Sequence, residues 1–207
     1  MELRLKIKQL LMTPLFDYIS QRVEINSEKK QLINSLSKTL ELKRGSHLIK
    51  PNQSVNKTYF VIKGCLRSYT HDKDGKEHTL QFAVKNDWIS DYIAIFNNES
   101  STQTIECISD CTVIEVSIRE GIETLFSKLP EIETLHRKNL QRHIVSLQKR
   151  ILNQLQLSSM ERYIEFKKQH PNIEKHALNY HIASYLGITQ QSLSRIRSEI
   201  LQIKSLN

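Results

Sequence analysis

Residues 179–198 read NYHIASYLGITQQSLSRIRS, and the rest of the chain is interpreted outward from them. Two helices meeting at a tight turn need a small residue where they touch, and Ala183 stands there. A residue free to adopt a left-handed conformation must join them, and Gly187 stands there. Ile182, Leu186, Ile188, Leu193 and Ile196 recur at the spacing that lines the inner faces. Thr189 is placed to N-cap the second helix, and Asn179 the first. An ordinary αα-hairpin packs the same way. What sets this one apart is the outer face of its second helix, which is polar throughout. Gln190, Gln191, Ser194 and Arg195 suit base edges, since Gln pairs bidentately with adenine and Arg with guanine. Thr189, Ser192 and Arg197 suit phosphate oxygens.

Charge supports this reading. The formal net charge is +8, and residues 136–207 hold all of it, with 12 Lys+Arg against 4 Asp+Glu. Residues 1–135 sum to zero. A basic last third after a neutral first two-thirds points to two roles in one chain. The basic part suits an anionic partner, nucleic acid before membrane.

Upstream, nothing breaks a helix from Pro130 to about Leu157, a span of about 40 Å. Leu140, Ile144, Leu147 and Ile151 follow a 4-3-4 spacing, the seam of a coiled coil. Arg137, Arg142, Lys149 and Arg150 lie mostly off that seam. So narrow an apolar stripe fits a partner helix better than a sheet. From Thr39 to Ser117 the pattern is different. Short β-rich runs alternate with turn signals: TLELK, LIK, TYFVIKG, CLRSYT, EHTLQFAV, QTIECI and CTVIEVS. Their spacing favours an all-β sandwich or barrel. Asp74-Gly75 is the strongest hairpin signal, and Gly64 ends a strand where a positive φ is needed. Residues 14–37 read as short helices, with Ser27 as an N-cap. A short helix is expected over 118–127. The organisation is 1–128 as a β-domain with N-terminal helices, 129–157 as a long helix and 158–207 as the bihelical unit.

At 207 residues the chain is long enough for a real core. Three cysteines are too few for a disulfide scaffold and point to a reducing, cytoplasmic setting. Cys65, Cys107 and Cys111 read as buried small side chains, with a thiol switch as the lesser alternative. No apolar run approaches a membrane span, and no membrane partner is expected. The histidines show no ligand spacing: His71 and His78 flank a hairpin, while His136 and His143 read as helix surface. No metal site, cofactor or catalytic group is expected. Trp88, Tyr92 and Phe96 read as core, with an apolar ligand pocket as the alternative.

Taken together, the plan resembles that of the Crp-Fnr transcription regulators, and HIASYLGITQQSLSRIR is similar to that family's C-terminal signature. The resemblance implies an α+β chain. It has an N-terminal antiparallel β-roll of jelly-roll type, a long dimerisation helix, and a C-terminal helix-turn-helix domain with a minimal wing or none. It implies double-stranded DNA, a second copy of the chain and RNA polymerase as partners, with an unknown small-molecule effector in the β-roll. The dimer interface would be Leu140, Ile144, Leu147 and Ile151. The family's recognition helix opens Arg-Glu-Thr with an Arg three residues on. Gln190, Gln191, Ser192 and Arg195 hold those positions here, so the family's half-site does not carry over. Its cyclic-nucleotide cassette has Gly-Glu, then Arg-Ser or Arg-Thr about ten residues later. Ser90-Asp91 and Ser101-Thr102 hold those places. With Ser101 where the phosphate-binding Arg belongs, Asp91 repels a buried phosphate, and no cyclic-nucleotide response is expected. An N-terminal iron–sulfur cluster is excluded, because no cysteine lies in the first 60 residues. Two other readings remain: a cupin-like β-barrel protein, and an interaction module whose helix-turn-helix docks protein.

Overall fold

A computed structural model describes residues 12–118 and 122–205, with the main chain alone at Ile122, Glu123, Leu125 and Lys204. Two helices, α1 (residues 12–20) and α2 (Ser27–Ser35), precede eight strands. The strands are β1 (Ser37–Leu42), β2 (His47–Ile49), β3 (Lys57–Lys63), β4 (Leu66–His71), β5 (Glu77–Ala83), β6 (Trp88–Ile89), β7 (Thr104–Cys107) and β8 (Cys111–Ser117). A short helix, α3 (Tyr92–Asn97), follows β6. Then come α4 (Ile122–Lys128), α5 (Pro130–Gln156), α6 (Ser159–Gln169), a 3-10 turn at Ile173–Lys175, α7 (Asn179–Leu186) and α8 (Gln190–Ser205).

The strands form two four-stranded sheets, ordered β1-β8-β3-β6 and β2-β7-β4-β5. That crossing order is a double-sheet jelly roll, which answers the sandwich-or-barrel expectation. The pleat then sorts the side chains. On β8, Val113 joins a cluster with Ile49, Val61, Leu66, Ile89 and Ile105. The next residue, Ile114, faces the opposite way and packs with Phe60 and with Met12, Leu15 and Ile19 of α1. Register is fixed by these pairs: Leu40 stands opposite Val113, and Phe60 opposite Ile114.

Two compact units result. One holds residues 1–68 and 82–142, the other residues 69–81 and 143–207. The second therefore includes the β4–β5 hairpin tip along with the C-terminal helices. At that tip Gly75 has φ +78°, and Asp72 Oδ1 accepts from the N–H groups of Asp74 and Lys76, both at 3.0 Å. Gly64 has φ +91°, and a Cβ there would lie 2.4 Å from the Asp110 carbonyl oxygen, so no other residue fits.

Several local expectations are corrected. Strand β6 is two residues long and falls below what alternation can reveal. Asn26, not Ser27, caps α2; its Oδ1 accepts from Lys29 N–H at 2.9 Å. Of the short helix expected over 118–127, Ile122–Lys128 is described as α4, and residues 119–121 lie outside the described residues. The last helix, α8, runs from Gln190 to Ser205. No helix among the described residues is long and apolar enough to cross a membrane.

Candidate nucleic-acid interface

The C-terminal pair is built around a dry inner face. Ile182, Ala183, Leu186, Leu193 and Ile196 are all buried. Gly187 ends α7 at φ +68°, ψ +35°, and its N–H returns to the Ala183 and Ser184 carbonyls. Thr189 Oγ1 accepts from Ser192 N–H at 3.1 Å, which is the expected N-cap of α8. Asn179 does not cap α7. Leu178 occupies that place, and its N–H donates to His181 Nδ1 at 3.3 Å. Asn179 instead accepts from Arg197 Nη1 at 2.7 Å.

Arg197 faces inward. Its Nε donates to the Tyr163 hydroxyl at 3.2 Å and its Nη2 to Glu174 Oε1 at 2.7 Å. Tyr163 donates to the same Glu174 oxygen at 2.7 Å, and Lys167 pairs with the other. Burial works against the Arg197 charge, but Tyr163 and Glu174 outweigh it and raise its pKa. Arg197 thus braces α8 against α6, the 3-10 turn and α7, and its charge is already engaged. Gln190, Gln191, Ser194 and Arg195 stand together on the exposed outer face of α8, with Thr189 and the half-buried Ser192 at its N-terminal end. The Arg195 side chain is 74% exposed and lies 3.7 Å from Glu199.

Helix α5 carries the stripe expected of a seam. Ile144, Leu147 and Ile151 are exposed and Leu140 is half-buried. Val145, Leu152 and Leu155 are also exposed and broaden the apolar face beyond the residues that 4-3-4 spacing selects. Off this face lies a residue that sequence reasoning passed over as an ordinary surface charge. The Arg150 guanidinium donates to the main-chain carbonyls of Leu80 (2.7 Å), Thr79 (3.0 Å) and Tyr185 (3.1 Å). It also stacks on the Tyr185 ring at 4.1 Å. Ser184 Oγ donates to the Glu77 carbonyl at 2.7 Å and accepts from Thr79 N–H at 2.8 Å. Arg150 and Ser184 together fasten the β-hairpin tip to α7. Only a buried group with several orphan carbonyls around it demands an Arg there, and no sequence pattern signals that.

In the jelly roll, Ser90, Asp91 and Ser101 are buried at one loop cluster, while Thr102 faces solvent. Asp91 caps α3, accepting from Ala94 N–H at 3.1 Å. Its other oxygen accepts from Ser101 Oγ at 2.7 Å, and Gln103 Nε2 donates to Oδ1 at 3.2 Å. Gln103 Oε1 in turn accepts from Ser68 Oγ at 2.5 Å. Arg67, fully buried on β4, lies 3.1 Å from Glu106. The three cysteines are buried and free. Cys107 and Cys111 flank the Ser109-Asp110 turn, as the spacing implied. His136 is corrected: it packs among rings rather than on open surface, 5.3 Å from Phe126 and 5.9 Å from Tyr92.

A jelly roll, one long helix and a helix-turn-helix follow one another in this order along one chain. Residues 39–128 match the cyclic nucleotide-binding domain family. The chain is 25% identical over 181 residues to the anaerobic regulatory protein of Haemophilus influenzae, covering 82% of this chain and 69% of that one. It is 24% identical over 195 residues to the fumarate and nitrate reduction regulatory protein of Vibrio cholerae, covering 86% and 76%. Among solved structures, FixK2 from Bradyrhizobium japonicum superposes with a TM-score of 0.68 at 18% identity, covering 81% of this chain and 86% of that one. A regulator assigned to the crp/fnr family from Eubacterium rectale gives 0.68 at 19% identity, covering 87% and 85%. The chain is a transcription regulator similar to those of the Crp-Fnr type.

Proposed function

We propose that the chain acts as a cytoplasmic homodimer that reads a near-palindromic DNA site through α8. Residues 1–128 would serve as the sensor module, 129–157 as the dimerisation helix and 158–207 as the reader. The observation that carries this is the outer face of α8. Gln190, Gln191, Ser194 and Arg195 project to solvent from a frame whose inner face buries Ile182, Ala183, Leu186, Leu193 and Ile196. Thr189 and Ser192 sit at the helix N-terminus, where backbone N–H groups attract phosphate. Two such helices in successive major grooves stand about 34 Å apart. RNA polymerase is the further partner that this reading implies.

The test is selection of bound duplexes from a random pool at near-physiological salt, without added ligand. Enrichment of a two-fold symmetric site with half-sites one helical turn apart is expected. On that site Arg195→Ala should cost about 1–3 kcal/mol, mostly as lost discrimination at one base position. An equal loss on all sequences would make Arg195 a phosphate contact. Absence of enrichment, with only weak salt-sensitive binding, would sink the reading.

The β-roll does not respond to cyclic nucleotides in this proposal. Asp91 is buried and held by Ser101 and Gln103, and no Arg stands at the position that would neutralise a phosphate. A phosphate seated there would face a buried carboxylate with no compensating charge. Calorimetric titration with cAMP and cGMP should therefore give no saturable heat. Micromolar affinity for either would overturn this.

A further inference from the structure

The second unit holds a small pocket of about 30 Å³ between α5, α6 and the end of α7. Arg150, Asn153 and Gln154 face it from α5, spaced so that they share one side of the helix. Arg162, Phe166 and Gln169 face it from α6 in the same way. Two guanidinium groups therefore share one small space, and neither has a carboxylate partner among the described residues. Arg150 donates to the carbonyls of Leu80, Thr79 and Tyr185. Arg162 Nη1 donates to the Leu157 carbonyl at 2.8 Å and its Nη2 to Ser159 Oγ at 3.3 Å. Its Nε is buried and has no hydrogen-bond partner among the described residues. The acids of α6 are engaged elsewhere: Glu161 accepts from Ser158 N–H at 2.8 Å, and Glu165 from Lys168 Nζ at 2.6 Å. Burial works against the Arg150 charge and lowers its pKa.

We propose that this pocket binds one small monovalent anion of chloride size, held between Arg150 and Arg162. Charge, size and hydrogen bonding select this class. Leu157 follows directly on α5, and Tyr185 lies in the last turn of α7, so each Arg meets a helix C-terminus. Such an end carries about half a negative charge. Two of them leave roughly one of the two positive charges uncancelled, and one monovalent anion cancels it. A single water needs about 10–15 Å³ of cavity. A pocket of about 30 Å³ thus admits one small ion and excludes nucleotides and organic acids. The unpartnered Arg162 Nε donates to the ion, and the carboxamides of Asn153 and Gln169 bring neutral N–H donors. A water would satisfy Arg162 Nε but leave the charge uncompensated, and a charge drawn out of solvent without a counter-charge is costly. The bound anion would tie α5 to α6. This site lies apart from the outer face of α8 and does not depend on how DNA is read.

The full-length protein is titrated with sodium chloride against sodium gluconate at constant ionic strength. Gluconate has the same charge as chloride and is too large for the pocket. The chloride NMR signal should broaden saturably in the presence of the protein, with a millimolar dissociation constant. At about a tenfold excess over Kd, Tm should stand about 3–5 °C higher in chloride than in gluconate. Arg162→Gln should abolish both effects. Gln169→Glu places a carboxylate at the same pocket as an internal counter-charge. It should also abolish both, leaving Tm indifferent to the choice of anion, and it carries the test if Arg162→Gln does not fold. No saturable broadening, broadening unchanged by Gln169→Glu, or equal stabilisation by gluconate would overturn the proposal.

Discussion

Replacing Ile144 and Ile151 together with Glu is expected to give a folded chain that no longer dimerises and binds a two-fold symmetric DNA site about 100-fold or more weakly. In the single chain both side chains are exposed, at 53% and 60%, so the exchange removes little packing. Surface substitutions of this kind usually stay within about 0.5 kcal/mol, and Glu is the better helix former. In the proposed dimer each Glu would lie in a desolvated seam opposite apolar side chains, repeated by symmetry. Losing the seam converts one bivalent reader into two independent ones, and the effective-concentration advantage of the second half-site disappears. Sedimentation and electrophoretic mobility on the selected site measure the two effects separately. A variant that remains dimeric would mean that another face joins the chains. A monomeric variant that keeps full affinity would mean that one reader suffices.

Much of this architecture was legible because the relevant signals are local. A jelly roll is written as short alternating runs cut by turn residues, and Gly64 and Asp74-Gly75 each mark a turn through backbone freedom or hydrogen bonding. The helix-turn-helix was legible for the same reason: Ala183, Gly187 and the apolar spacing are fixed within some twenty residues. Misses occurred where the deciding partner is distant or the signal too short. Two-residue β6 has no period to read. Asn26 and Ser27 are equally good caps by type, and only the register of α2 chooses between them. Arg197 shares its helix and its charge with Arg195, yet Tyr163, Glu174 and Asn179 turn it inward. His136 shows the reverse error. Its heptad spacing to His143 suggested surface, whereas the rings of Phe96, Phe126 and Tyr92 surround it. Tertiary partners decide these cases, and a single chain read along its length does not show them.

Arg150 is the strongest instance, and it yields the second large expectation. Arg150→Met keeps most of the aliphatic stem but withdraws the donors from the carbonyls of Leu80, Thr79 and Tyr185. Hydrogen bonds from a charged donor contribute about 1.5–3 kcal/mol each, and buried acceptors left unpaired add a penalty. Water will reach some of them, so a net loss of about 2–4 kcal/mol is expected. For a chain of this size that lowers Tm by about 5–15 °C. Arg150→Lys should recover only part of the loss, since an ammonium cannot present a planar fork to three oxygens or stack as well on Tyr185. The localised consequence separates this from general destabilisation: amide exchange should accelerate first at residues 69–81 and 179–186, the two segments Arg150 joins. Ser184→Ala removes the neighbouring link to Glu77 and Thr79. Because both clamps hold the same hairpin, the double variant should show a coupling of about 0.5–3 kcal/mol rather than simple additivity. Strict additivity, with exchange raised evenly along the chain, would mean that the hairpin tip and α7 are held independently and that Arg150 contributes only burial.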